Sequence, residues 1–237
     1  MVEASLPRRA LAELVGTAFL VAIVVGSGIM AARLSPGDTG LQLLENAIAT
    51  GAGLVAIILA VGPVSGAHLN PVVSAADCWF GGITRHTLAV YAGAQVVGAC
   101  VGCALANLMF DLPAVELSTK VRSGNGVWLG EVIATVGLLL VIFGVVRSRR
   151  AAVAPFAVGA YIGAAYFFTS STSFANPAVT IGRMLSDTFA GIAPESVPGF
   201  VVAECIGAAL AVALVAALYP HIGDVADELI VPHEEEG

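Results

Sequence analysis

Asparagine followed by proline occurs at two related places: PVSGAHLNPVVSAADCWF at 63–80 and TSSTSFANPAVTIGRML at 169–185. Asparagine is a strong helix N-cap, and proline suits the first helical position because its missing N–H is unpaired there anyway. Asn70-Pro71 and Asn176-Pro177 therefore each predict the start of a short helix of about ten residues. Such a helix rises about 1.5 Å per residue and reaches only halfway across a bilayer core. Its N-terminus carries about half a positive charge. Two such ends meeting at mid-membrane would oppose cations and protons, and the capping amides would offer donors to a neutral solute. The irregular backbone before each asparagine (66–69 and 172–175) is tolerated at membrane depth only where it lines protein or a wet cavity, to which its carbonyls supply acceptors. Donors at the centre and acceptors along the approaches describe a path for small neutral polar molecules.

The setting of these motifs supports that depth. Positions 14–32, 46–76, 86–110, 151–182 and 205–223 contain no Asp, Glu, Lys or Arg. A span takes about 20 residues, so the stretches 46–76 and 151–182 must each hold one full helix plus a segment that stays in the membrane. With 58% hydrophobic and 11% charged residues in 237 and a mean hydropathy of +0.92, the chain departs from soluble proteins, which carry about 25% charged residues. Six full spans are expected, at roughly 10–32, 41–62, 84–108, 127–146, 151–168 and 198–219. The sequence-based architecture is an all-α membrane protein with six transmembrane helices and two re-entrant half-helices.

Three matches recur in order along the chain. LAELVGTAFLVAIVVG (11–26) resembles LGEVIATVGLLLVIFG (129–144) and pairs Glu13 with Glu131. HLNPVV (68–73) resembles FANPAV (174–179), and AGAQVVGA (92–99) resembles VVAECIGA (201–208), pairing Gln95 with Glu204. Each half has three crossings, so the second is inverted relative to the first, and inverted repeats place their working site where the halves meet. A single channel domain is expected over 1–220, with repeat one at about 9–108 and repeat two at about 127–220, followed by an acidic tail at 221–237. With both termini on one side, that side receives Arg8, Arg9, Arg85, Arg147, Arg149 and Arg150, and the other Arg33, Lys120 and Arg122. The excess of positive charge places the termini in the cytoplasm. The chain is thus expected in the cell's inner (plasma) membrane as a multi-pass protein.

SGAHLNP, the second NPA, the paired membrane glutamates and the duplicated layout resemble the aquaporin and aquaglyceroporin (major intrinsic protein) family over about 9–220. The resemblance implies a pore constriction at Asn70, Pro71, Val72, Asn176, Pro177 and Ala178, with Val72 departing from the usual alanine. It implies a selectivity filter at Thr50, Ala164, Ser173 and Val179, by spacing from the motifs. The last of these is an arginine in most of the family, and Arg183 stands one helical turn further. Small residues at all four positions imply a wide filter lacking that arginine. The likeness is closest to bacterial members associated with arsenic resistance, which implies passage of neutral arsenicals beside glycerol-like solutes and water. Loop-support roles fall to Glu13, Glu131 and His68, and the family implies a homotetramer in the lipid bilayer with one pore per chain.

Other classes are weighed against this. A mainly water-conducting aquaporin shares every motif. A coupled secondary transporter also favours inverted repeats and broken helices, but needs lumenal carboxylates for ion coupling. No nucleophile–base set or metal-ligand cluster is visible, so an enzyme, a metal site and a cofactor are not expected. No basic patch points to nucleic acid. The CxxC at Cys100 and Cys103 lies on an apolar span without nearby histidine and reads as packing.

Overall fold

The computed structural model describes residues 4–148 and 150–219. Arg149 and the acidic tail at 221–237 lie outside the described residues. The elements, in chain order, are α1 (Leu6–Leu34), α2 (Thr39–Ser65), α3 (Pro71–Phe80), α4 (Arg85–Met109), α5 (Asn125–Arg147), α6 (Ala154–Phe168), α7 (Pro177–Arg183) and α8 (Val197–Leu218). Five of these helices are long and apolar enough to cross a membrane, and α6 is a shorter apolar helix of 15 residues preceded by a 3-10 turn at Ala151–Val153. The described residues contain no strand, as an all-α membrane architecture requires.

Local chemistry sets the helix ends. The Asp38 side chain accepts the Leu41 N–H and starts α2, and the Thr84 hydroxyl accepts the Thr87 N–H and starts α4. Gly66 and Gly81 end α2 and α3 in the left-handed conformation, at φ of 83° and 97°. Asn70 and Asn176 cap α3 and α7 as the sequence suggests, each with proline next. The second half-helix is shorter than expected: α3 has 10 residues and α7 has 7.

The two halves pack in the same way. In the first, α1 lies against α2 and α4; in the second, α5 lies against α6 and α8, while α2 meets α6 across the halves. Each half-helix also reaches into the other half, α3 onto α8 and α7 onto α4. Glycine makes the closest approaches possible. A β-carbon at Gly98 or Gly102 of α4 would run into the carbonyl oxygens of Leu14 or Ala18 of α1. At Gly207 of α8 it would lie 2.7 Å from the Val132 carbonyl oxygen of α5. The glycine contacts therefore recur in both halves, at helix pairs that hold the glutamates Glu13 and Glu131.

Gly102→Val should force α1 and α4 apart, because the obstacle is backbone that has no rotamer to escape into. Overpacking of this kind costs about 1–3 kcal/mol. The expected result is a clear fall in the Tm of the detergent-solubilised protein. An unchanged Tm would mean that the helices do not meet at this glycine.

Candidate functional site

Two loops descend to the middle of the bundle, and carboxylates hold their backbones. Glu13 is fully buried; its Oε1 accepts the Ser65 hydroxyl at 2.7 Å and the His68 N–H at 2.9 Å. Its Oε2 accepts the Leu69 N–H and the Gln95 amide, both at 2.7 Å. In the second half Glu131, also fully buried, accepts the N–H groups of Phe174 at 2.9 Å and Ala175 at 2.7 Å. The halves differ at the third matched pair. Where Gln95 donates to Glu13, its counterpart Glu204 accepts the Asn176 N–H at 3.1 Å and the Thr180 hydroxyl at 2.7 Å.

This bonding holds the backbone in an unusual shape. Ala67 and Leu69 have φ of 49° and 53°, and their counterparts Ser173 and Ala175 have 50° and 47°. L-residues pay about 1–2 kcal/mol each in that region, so the carboxylate bonds must hold the loops there. Among the described residues no protein donor reaches the carbonyls of Gly66, Ala67, Thr172, Ser173 or Phe174. Buried carbonyls need a partner, and Ala67, Ser173 and Phe174 line a cavity that can supply one in water or solute.

The two asparagines close a reciprocal clamp. Asn70 Oδ1 accepts the Val72 N–H at 3.0 Å, while its Nδ2 donates to the Ala175 carbonyl at 2.7 Å. Asn176 Oδ1 accepts the N–H groups of Ala178 and Val179, and its Nδ2 donates to the Leu69 carbonyl at 2.8 Å. Each amide thus spends one hydrogen on the carbonyl just before the opposite asparagine. The second hydrogen is left for the lumen, so each amide offers one donor there. Val72 and Ala178 are both buried at the foot of their helices.

The cavity beside this clamp encloses about 610 Å³, counting its open ends. One wall is apolar, with Leu20, Leu54, Leu138 and Ile162 among its residues; the other carries Asn70, Asn176, His68 and Ser173 from the two loops. His68 is buried, with Nδ1 3.0 Å from the Ser74 hydroxyl and Nε2 3.5 Å from Asp77 Oδ2. Asp77 is a partner that the sequence reading passed over. Its signal was a lone acid on an otherwise uncharged half-helix.

Residues 1–175 match the profile of the major intrinsic protein family. The chain belongs to the major intrinsic protein family. It is 53% identical over 214 residues to the aquaglyceroporin AqpS of Rhizobium meliloti, covering 90% of this chain and 91% of that one. It is 33% identical over 176 residues to human Aquaporin-9, covering 63% of this chain and 57% of that protein. The X-ray structure of the aquaglyceroporin from Plasmodium falciparum superposes with a TM-score of 0.71 over 92% of this chain and 99% of that one; at 23% identity, that likeness speaks to the fold. The protein is a multi-pass membrane channel for small uncharged polar solutes.

Three of the four filter positions carried over from the major intrinsic protein family line the cavity: Thr50, Ser173 and Val179. Ala164 does not. It is exposed on the outer face of α6, while Tyr166, two residues on and buried, lines the lumen. Two residues turn a helix by about 200°, so a count back from Asn176 that runs two residues too long selects the opposite face. The Tyr166 hydroxyl lies 3.1 Å from Thr50 Oγ1. Tyr166 and Arg183 thus bring a ring and a charge to the cavity wall beside Thr50, Ser173 and Val179. Val179 and Arg183 are four apart on α7, and i and i+4 share a helix face.

Asn176→Asp should lower glycerol flux in proteoliposomes by about tenfold or more. It removes the donor to the Leu69 carbonyl, and an unpaired buried acceptor costs ~1–3 kcal/mol. It also sets a carboxylate beside that oxygen, so exclusion of cations should weaken. Parental flux together with parental ion exclusion would show that the clamp does not form the constriction.

Proposed function

We propose that the protein conducts glycerol-like solutes, water and neutral hydroxides such as arsenous acid, passively and down their gradient. The observation that carries this is the two-sided lumen. A polyol or a neutral hydroxide presents carbon or a bare face to the apolar wall and hydroxyls to the carbonyls and amides of the loops. Ions gain little there, since the wall with leucine and isoleucine cannot replace a hydration shell. The name of the Rhizobium relative, an aquaglyceroporin, agrees with this substrate class.

The filter we infer consists of Thr50, Tyr166, Ser173 and Val179, with Ala164 replaced by Tyr166 in the role first assigned to it. Its width comes from Val179, whose short side chain occupies a place filled in most of the family by an arginine. Arg183 supplies the positive charge one turn away. The termini are assigned to the cytoplasm of the inner membrane by the distribution of arginine and lysine, and a homotetramer with one pore per chain is assigned by family alone. The decisive experiment is stopped-flow light scattering on proteoliposomes with water, glycerol, urea and arsenous acid in one series. Flux of all four, linear in gradient and indifferent to protonophores, supports the channel. Saturation coupled to a proton gradient would replace it with a secondary transporter.

Val179→Arg should narrow the filter and cut glycerol flux about tenfold or more, or ~1.4 kcal/mol of added barrier, while water flux falls much less. Tyr166→Ala should act in the opposite sense and raise the ratio of urea or glycerol to water. Equal losses of water and glycerol in Val179→Arg would indicate plugging or misfolding. No change in either would place Val179 outside the narrowest point.

A further inference from the structure

The end of the lumen away from the chain termini gathers three cations held by main-chain oxygens. Arg183 Nε donates to the Ala190 carbonyl at 2.6 Å, Arg122 Nε to the Gly191 carbonyl at 2.8 Å, and Lys120 Nζ to the Phe189 carbonyl at 2.7 Å. The guanidinium carbons of Arg183 and Arg122 lie 3.4 Å and 5.2 Å from the centroid of one ring, Phe174. Among the described residues no carboxylate forms an ion pair with any of the three. They act on one another instead. Burial, and then Arg122 and Arg183, bring the Lys120 ammonium down to about 8. Burial, and then Arg183, bring Arg122 down to about 9.

Nearby acids are engaged elsewhere. Asp187, exposed on the same side, accepts the Thr119 N–H and hydroxyl, and that backbone hydrogen bond holds its carboxyl below the usual range. Glu131 and Glu204 lie within electrostatic reach of Arg183, yet they accept from the loop backbone and Thr180.

Unspent hydrogen-bonding capacity faces the lumen here. Arg183 is 2% exposed and lines the cavity, and only its Nε is used by the protein. Ser173 Oγ, on the same cavity and 3% exposed, has no partner. The Tyr166 hydroxyl, shared with Thr50, completes the set. A guanidinium with both terminal nitrogens available matches two oxygens of an oxyanion in a forked geometry. Hydroxyls close by can donate to a third oxygen.

We propose that Arg183, Ser173 and Tyr166 form a binding site for a small oxyanion at this mouth, with Arg122 and Lys120 adding attraction from outside the lumen. The site rests on the channel reading, because an anion held there stands in the path of neutral solutes and lowers their flux. It selects oxyanions over halides, since the fork needs two oxygens.

The test is glycerol flux through proteoliposomes of the full chain, with sodium sulfate or sodium chloride at equal ionic strength on both sides. The expected result is saturable inhibition by sulfate, with the chloride flux at least severalfold higher. The ratio of the two fluxes is the readout in every variant, so changes in basal flux do not confuse it. Arg183→Gln should bring the ratio to one, and Ser173→Ala and Arg122→Gln should lower it. In detergent, sulfate should raise the Tm of the parent and not of Arg183→Gln; if that variant does not fold, Ser173→Ala carries the comparison. Equal flux in sulfate and chloride for the parent, or a sulfate effect intact in all three variants, overturns the site while leaving the channel standing. A parent that passes no glycerol in chloride overturns the channel reading itself.

Discussion

Backbone N–H groups at the centre of a membrane have no water to bond, and everything else in this protein follows from how they are satisfied. Glu13 and Glu131 each accept two consecutive N–H groups of a loop, His68 and Leu69 in one half and Phe174 and Ala175 in the other. Those bonds hold five non-glycine residues of the two loops in left-handed conformations that a free chain would leave. The twisted loops then leave carbonyls unbonded, and unbonded carbonyls are what a polar solute needs along its path. Charge buried for structural reasons thereby produces a row of uncharged acceptors along the loops.

The asparagines add the second constraint. Because each Nδ2 bonds the carbonyl that precedes the other asparagine, neither half can form its own end of the constriction. The two loops are correct only together. Close packing at Gly98, Gly102 and Gly207 brings the glutamate-bearing helices near enough for this to happen, so helix approach, loop shape and lumen chemistry are one problem solved at three levels.

Much of this was legible in the residues. Long uncharged stretches marked the membrane, and a proline after each asparagine marked where the half-helices begin. The matched glutamates marked the duplication. What escaped were the features that depend on angle. Ala164 comes from a count along the chain, and the two residues that separate it from Tyr166 turn α6 from its exposed face to the lumen. Arg183 shares a face of α7 with Val179 by spacing, but its reach into the lumen depends on how α7 is packed. The partnership of His68 with Asp77 needs the turn of α3 and could not be counted from sequence. The difference between Gln95 and Glu204 was visible as letters, but its meaning was not: one donates to the neighbouring glutamate and the other takes up bonds from α7 and its cap.

The shortness of α6 has a consequence outside the lumen. At about 1.5 Å per residue its 15 residues span ~22 Å, and the 3-10 turn before it adds ~6 Å. A hydrocarbon core is about 30 Å thick, while the other crossing helices have 22 residues or more. One flank of the protein therefore crosses the core only when the 3-10 turn is counted with the helix, and it bears exposed Phe156, Phe167 and Phe168. The difference of ~2 Å from the core thickness costs a fraction of a kcal/mol per Å. That flank fits a thinner bilayer better than do the sides built from helices of 22 residues or more.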